Sequence, residues 1–208
     1  MLDRKNLIFD LGGVLLNIDP RATVEALATM GVGKSLITDG LNLTNPLLRG
    51  LECGTVTPEE ICTAVAATMG VELSPALAQS IKEAWCSMLK DAPVEKFQRL
   101  RMLRKQGYKV FLLSNTNAIH WEVIERIIAS VEGGKTDDYF DGVHLSFEMQ
   151  CCKPDKAIFE KLLAKEGLAA EDCIFFDDSQ ENCAAAVSLG IVAHLMTRNA
   201  PWPQWLIK

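Results

Sequence analysis

The sequence predicts an α/β protein: a doubly wound parallel sheet that carries a small all-helical cap domain. After residue 93, patterns typical of helices and of short buried strands alternate, and such alternation produces a parallel sheet covered by helices on both faces. One strand-like run, Leu7-Ile8-Phe9, precedes this part, and residues 20–90 predict only helices. We therefore expect the α/β core to comprise residues 1–16 and 93–208, with a helical cap at 17–92.

Composition limits the class of protein. The chain has 208 residues, 49% of them hydrophobic and 23% charged, which is typical of a globular protein with a full core. The net charge of −6 disfavours nucleic-acid binding, which usually needs a basic face. No apolar run approaches the ~20 residues of a membrane helix, and no signal-peptide pattern is present. We expect a soluble cytoplasmic protein with no nucleic-acid or membrane partner and no obligate protein partner.

The cysteines predict no metal site. Their number is odd, and no CxxC pair or His/Cys cluster of the zinc type occurs among them. We expect reduced, mostly buried thiols. The residues are Cys53, Cys62, Cys86, Cys151, Cys152, Cys173 and Cys183.

Helix start signals divide the cap. Asp19-Pro20 is typical of an N-cap followed by proline at the first helical position, and it predicts a helix near 20–30. Residues 32–56 are less periodic and predict one or two short helices. Thr57-Pro58-Glu59-Glu60 is a capping-box pattern that opens a helix ending at Gly70, and Ser74-Pro75 opens another that runs to about Leu89.

The second half of the chain alternates. Pro93 begins a helix closed by Gly107, and a buried strand follows. The elements predicted after this helix are strand 109–113, helix 118–130, strand 143–146, helix 155–166, strand 173–176, helix 180–189 and strand 191–196. The tail from Pro201 has no period and predicts an irregular segment.

Polar residues follow the predicted strands at the points where they end. Asp10 follows the first strand, Ser114-Asn115 the second, and Asp177-Asp178 a later one, while Lys153 precedes a helix. In open α/β sheets the carboxyl ends of the strands form the ligand site, so we expect these groups to converge. Adjacent carboxylates repel unless a cation separates them, and oxygen ligands suit Mg²⁺. The set is that of a phosphate cradle beside a hard cation.

Each residue also has an ordinary structural explanation. Asp10 is in a position to cap a helix, and Ser114-Asn115 is a normal N-cap sequence. An isolated lysine is usually a solvated surface residue, and an Asp-Asp pair is more often a turn than a metal site. The order and placement of all four groups together favour function.

The set resembles the four signature motifs of the haloacid dehalogenase superfamily. Phe9-Asp10-Leu11-Gly12 is similar to the nucleophile motif and Leu113-Ser114-Asn115 to the phosphate-binding motif. Lys153-Pro154 is similar to the lysine motif and Phe176-Asp177-Asp178 to the metal-carboxylate motif. The strings FDLGGVLLNID, LLSNTN, KPD and FFDDSQEN resemble the branch of sugar-phosphate phosphatases that includes the glucose-1-phosphate phosphatases.

This resemblance implies a Mg²⁺-dependent phosphomonoester hydrolase that acts on a small phosphorylated metabolite, with a sugar phosphate expected. Asp10 would attack phosphorus to form an aspartyl-phosphate. Mg²⁺ would be held by Asp10, the Gly12 carbonyl and Asp178, with Asp177 in direct or water-mediated support. Ser114, the Asn115 N–H and Lys153 would hold the phosphoryl oxygens, with Lys153 also offsetting carboxylate charge.

Gly12 departs from the usual phosphatase pattern, in which a second aspartate two residues after the nucleophile acts as general acid and base. Asp19 and His120 are possible substitutes, although a helix cap and a surface position explain them more simply. Without such an acid, we expect the rate to depend strongly on leaving-group acidity. The alternatives are a metal-independent 2-haloacid dehalogenase, a noncatalytic or regulatory phosphate-binding protein, and a phosphoacceptor receiver domain. The last is shorter and carries its acidic pair on the first strand.

Overall fold

The computed structural model describes residues 4–32, 45–203 and 206. A parallel sheet of five strands, in the order β3-β2-β1-β4-β5, forms its centre. The strands are β1 Asn6–Phe9, β2 Lys109–Ser114, β3 Gly142–Leu145, β4 Cys173–Asp177 and β5 Val192–Leu195. Since Phe9 pairs with both Leu112 and Phe176, β1, β2 and β4 end side by side.

Alternate residues of each central strand enter apolar clusters on opposite faces of the sheet. Leu7 and Phe9 belong to one cluster, and Ile8 belongs to the other. The helix side chains Phe97 and Ile158 pack on these two faces, respectively. Helices therefore cover both sides, and the predicted doubly wound fold is confirmed.

The helices follow the start signals in the sequence. The capping box at Thr57 is formed: its side chain accepts the Glu60 N–H at 3.2 Å, and Glu60 Oε2 accepts the Thr57 N–H at 2.7 Å. The helices are α1 Pro20–Thr29, α2 Pro46–Glu52, α3 Pro58–Thr68, α4 Pro75–Cys86, α5 Val94–Lys105, α6 Ala118–Ser130, α7 Thr136–Tyr139, α8 Ser146–Met149, α9 Lys156–Glu166 and α10 Gln180–Val187.

The differences from prediction are local. Helices α7 and α8 have four residues each and were not predicted, because one turn is too short to show a hydrophobic period. The predicted strand 143–146 lies one residue earlier, since Ser146 begins α8. Helix α4 ends at Cys86 rather than near Leu89. Of the expected short helices at 32–56, α2 is present, and residues 33–44 lie outside the described residues.

Helices α1 to α4 have an apolar cluster of their own. Leu27, Leu48, Ile61 and Trp85 are buried together there. Ile119, at the start of α6, joins this cluster from the core. The helical part of the chain therefore rests against the same end of the sheet at which β1 and β2 finish.

Cys53, directly after α2, is disulfide-bonded to Cys152, directly before Lys153. The expectation of reduced thiols is wrong for this pair, whose sequence separation of 99 residues gives no spacing signal. The other five cysteines are free thiols, as expected. Among the described parts of the chain, no helix combines the length and apolarity needed to cross a bilayer.

Candidate active site

The candidate site lies where β1, β2 and β4 end. Asp10 follows β1, and its N–H donates to the Phe176 carbonyl at 2.8 Å, which holds it against the end of β4. Ser114 and Asp177 are the last residues of β2 and β4. All three side chains are buried, with Asp10 only 8% exposed. Burying several polar groups together at the ends of strands is costly, and such a cluster favours a functional role.

Lys153 joins two of the strand ends. Its Nζ donates to Asp10 Oδ1 and to Asp177 Oδ2, each at 2.7 Å, and to the Leu113 carbonyl at 2.9 Å. The residue is 1% exposed. Burial acts to lower the pKa of Lys153, but the two carboxylates outweigh it and raise the pKa above its ordinary value. The ammonium is therefore a fixed positive charge between the carboxylates.

Asn115 positions Lys153 through the backbone. Its Nδ2 donates to the Lys153 carbonyl at 2.9 Å, and its Oδ1 accepts the Lys153 N–H at 2.8 Å. The side-chain amide thus donates one hydrogen bond and accepts another, and it joins two loops that are 38 residues apart in the sequence. The Asn115 side chain orients the lysine, and the phosphate contact expected of its main-chain N–H stays a prediction.

Asp177 is also held by its own loop. Oδ1 accepts the Ser179 N–H at 2.7 Å, and Asn182 Nδ2 lies 3.1 Å from both carboxylate oxygens. These bonds, added to that from Lys153, occupy the oxygens of Asp177. The arrangement favours metal support by Asp177 through water over a direct bond.

Asp178 points back towards the first loop. Arg198 Nε donates to its Oδ2 atom, and the carboxylate lies against Gly13. Gly13 has φ +83°, and a Cβ atom built there would stand 2.5 Å from Asp178 Oδ2. Only glycine fits both the backbone conformation and this close approach.

The three carboxylates suit a divalent cation. Asp10, Asp177 and Asp178 each place an oxygen within 4.8 Å of the others, and they form the only such cluster among the described residues. Lys153 and Arg198 offset two of the three negative charges. One carboxylate charge is left, and the donor atoms are all oxygen, so the residues present fit Mg²⁺.

The ionised form of Asp10, which a nucleophile needs, is opposed by burial and favoured by the charges beside it. Burial raises the pKa of Asp10 above its ordinary value, Lys153 opposes this rise, and Asp177 adds to it. Lys153 and the cation that the site fits both favour the ionised form.

A cavity of about 380 Å³ lies next to the nucleophile loop, with Leu11 and Gly12, the two residues after Asp10, in its wall. On the core side it is lined by Gly12, Ser114 and Asn115. On the helical side it is lined by Leu48, Glu52, Trp85 and Met88. Ser114 and Asn115, which were expected to touch a phosphate, therefore share one cavity with residues of α2, α4 and the segment that follows α4.

Glu52, the last residue of α2, was not anticipated from the sequence. Its Oε2 atom is buried without a hydrogen-bond partner in the structure. Burial raises the pKa of Glu52 to about 7, opposed by Lys153 and Arg49 and aided by Asp10. A glutamate at the end of a short helix, followed by Cys-Gly, is usually exposed. The local sequence therefore does not indicate that Glu52 belongs to the site.

Neither suggested substitute for the acid missing at Gly12 fits that role. Asp19 caps α1 by accepting the Arg21 N–H at 3.2 Å, as its simpler explanation predicted. His120 lines the cavity, but Nε2 lies 3.1 Å from the Trp85 carbonyl and Nδ1 lies 3.3 Å from Asn117 Nδ2. Burial lowers the pKa of His120 to about 4. The single ring proton of His120 is therefore donated to the Trp85 carbonyl. His120 is also buried, not on the surface as expected.

Comparison with known sequences agrees with the signature motifs. The profile of the haloacid dehalogenase-like hydrolases matches residues 5–190. The chain belongs to this hydrolase family. A D-ribitol-5-phosphate phosphatase of Bacteroides thetaiotaomicron is 28% identical over 204 residues, which cover 97% of this chain and 96% of that protein.

Solved structures of family members superpose closely. A haloacid dehalogenase family enzyme of Bacteroides thetaiotaomicron, crystallised with magnesium and inorganic phosphate, has a TM-score of 0.87 and 34% identity. The alignment covers 97% of this haloacid dehalogenase-like chain and 98% of that one. A dehalogenase structure gives a TM-score of 0.61 at 20% identity, covering 99% and 90% of the two chains, and this likeness is one of fold alone.

Proposed function

We propose that this family member is a Mg²⁺-dependent phosphomonoester hydrolase that works through an aspartyl-phosphate. The observation that carries the proposal is the buried Lys153 ammonium, bonded to Asp10 and Asp177 at 2.7 Å each, with Asp178 beside them. A carboxylate nucleophile needs a positive environment for an incoming phosphate dianion. Lys153 and Arg198 leave one carboxylate charge uncompensated, and a bound Mg²⁺ would make the site positive.

The roles follow from position. Asp10 attacks phosphorus, and Lys153 offsets the charge that builds up between Asp10 and the phosphoryl group. The Ser114 hydroxyl and the Asn115 N–H bind phosphoryl oxygens, since both residues line the cavity beside the nucleophile loop. Mg²⁺ would be held by Asp10, the Gly12 carbonyl and Asp178, with Asp177 in support. When bound, it neutralises phosphoryl charge as a Lewis acid.

We infer that the substrate is a small phosphorylated metabolite, of the sugar-phosphate or polyol-phosphate class. A cavity of about 380 Å³ suits a small molecule better than a polymer. The relative that acts on D-ribitol 5-phosphate supports the polyol class, and the family enzyme crystallised with magnesium and phosphate supports the cofactor.

We further propose that residues 17–92 act as a cap domain. Their apolar cluster is separate from those of the sheet, and Leu48 and Trp85 line the cavity from their side. A cap in this position excludes water from the nucleophile and selects the substrate by its contacts.

The test is phosphate release from a panel of sugar and polyol phosphates, with Mg²⁺ and with excess chelator. We expect turnover of at least one such ester with Mg²⁺ and none with chelator. Halide release from a 2-haloacid in the presence of chelator, without phosphatase activity, would identify a dehalogenase instead.

A further inference from the structure

Ester cleavage at Asp10 leaves a charge to be neutralised. As the bond from Asp10 to phosphorus forms, the bond from phosphorus to the leaving oxygen breaks, and a sugar or polyol departs as an alkoxide unless it receives a proton. Gly12 has no side chain to supply one, and the single ring proton of His120 is held by the Trp85 carbonyl. The donor must come from elsewhere in the cavity wall.

Glu52 is the acidic residue that the cap contributes to this wall. It lines the same cavity as Gly12, Ser114 and Asn115, so it lies across the reaction space from the nucleophile loop. Its Oε2 atom is shielded from solvent and has no protein partner. Leaving a buried carboxyl oxygen unpaired is costly, which is explained if a substrate oxygen completes its bonding.

Two bonds join the backbone at Glu52 to the core. Its carbonyl oxygen lies 2.6 Å from the Ser146 hydroxyl, which in turn accepts the Thr116 N–H at 2.9 Å. The next residue, Cys53, is bonded to Cys152, the neighbour of Lys153. The main chain that carries the Glu52 side chain is therefore anchored beside the cavity, which limits where the carboxyl can lie.

From this geometry we propose that Glu52 is the general acid and base of the reaction, a catalytic residue that touches the leaving oxygen. The inference rests on the proposed phosphatase function. In the first step, the Glu52 carboxyl gives its proton to the leaving oxygen as the bond to phosphorus breaks. In the second step, the Glu52 carboxylate removes a proton from water, whose oxygen bonds to phosphorus as the bond from Asp10 to phosphorus breaks and inorganic phosphate leaves. Asp10 and protonated Glu52 are then restored.

The charges around Glu52 agree with this role. Lys153 and Asp10 are close enough for their charges to act on it, and Arg49 precedes it on α2. The cavity residue His120 is neutral near pH 7, because burial lowers its pKa to about 4. Because burial raises the pKa of Glu52 to about 7, a large fraction of the carboxyl is protonated near neutral pH, and a protonated carboxyl does not repel a phosphate dianion.

The experiment compares leaving groups in wild type, Glu52→Gln and Glu59→Gln. Glu59 is an exposed cap glutamate, so its variant makes the same chemical change away from the cavity. Each protein is assayed with a polyol phosphate, whose alkoxide needs a proton, and with p-nitrophenyl phosphate, whose phenolate does not. Thermal unfolding and Mg²⁺ affinity verify that Glu52→Gln retains the fold and the metal site.

We expect Glu52→Gln to lower kcat for the polyol phosphate by about 10²- to 10³-fold, with p-nitrophenyl phosphate changed by a few-fold at most. Glu59→Gln should match wild type. In wild type, kcat/KM for the polyol phosphate should fall as pH rises through about 7, where Glu52 loses its proton. This alkaline fall should vanish in Glu52→Gln and persist in Glu52→Asp.

Three results would overturn the assignment. They are an equal loss with both esters in Glu52→Gln, no loss with either, or an alkaline fall that persists in that variant. A wild type that releases phosphate from no ester at all would instead overturn the proposed function, so the two failures are distinguishable.

Discussion

Replacement of Lys153 by methionine tests how the site is held together. The substitution keeps the length of the side chain but removes the ammonium that donates to Asp10, Asp177 and the Leu113 carbonyl. Removing one partner of a buried ion pair costs about 3–5 kcal/mol, because an uncompensated charge stays buried. Asp177 retains its bonds from Ser179 and Asn182, so the loss falls mainly on Asp10. We therefore expect Lys153→Met to lower the free energy of unfolding by about 4 kcal/mol, which is within the range for breaking one such pair.

The assay is urea unfolding followed by tryptophan fluorescence in the presence of chelator. The matched control is Lys109→Met, which removes an ion pair of 3.2 Å to Asp141 from a side chain that is 63% exposed. Exposed pairs contribute about 0–1 kcal/mol, so this variant should remain close to wild type. Mg²⁺ should stabilise Lys153→Met more than wild type, since the cation replaces part of the lost charge. A Lys153→Met variant no less stable than Lys109→Met would refute the reasoning.

Three further outcomes are expected. Asp10→Asn should abolish phosphate release with the fold intact, while Asp19→Asn, a change at a helix cap, should keep most activity; a tenth of wild-type activity in Asp10→Asn would show that another group is the nucleophile. Asp178→Ala should raise the Mg²⁺ concentration needed for half-maximal activity at least tenfold, and an unchanged Mg²⁺ titration would remove Asp178 from the metal site. His120 has its pKa lowered from 6.5 to about 4, so below pH 6.5 the unfolded chain binds the proton more readily and stability falls as pH falls. The free energy of unfolding should therefore drop by about 3 kcal/mol more between pH 6.5 and 4 in wild type than in His120→Gln, and parallel curves for the two proteins would contradict this.

The fold could be predicted because its signals are local. The capping box at Thr57 marks the start of α3, and the apolar period of residues 118–130 gives α6 with the bounds the structure has. Leu7-Ile8-Phe9 is apolar throughout, as a strand buried on both faces must be, and it lies at the centre of the sheet.

The site could be predicted only in part. Asp10, Ser114 and Asp177 stand at strand ends, and the parallel sheet brings strand ends together whatever the loops do. Glu52 and Arg198 reach the same place from a cap helix and from the loop after β5, respectively. Their positions depend on how whole helices and loops pack against the sheet. Neither the hydrophobic periodicity nor the spacing of motifs in the sequence indicates these positions.

The points at which the cap meets the core determine how it can move. The two chain crossings are bonded to each other, with the Asn17 N–H donating to the Asp91 carbonyl at 3.0 Å and the Asp19 N–H to the Met88 carbonyl at 2.8 Å. These crossings form a hinge, and the Cys53–Cys152 bond fastens the cap at a second place. A lid joined to the core at two places can rotate less than one that is joined at its hinge alone. Reduction of the Cys53–Cys152 bond would leave the hinge and the bond between the Ser146 hydroxyl and the Glu52 carbonyl. The freedom of the cap and the position of Glu52 would therefore depend together on the oxidation state of this cysteine pair.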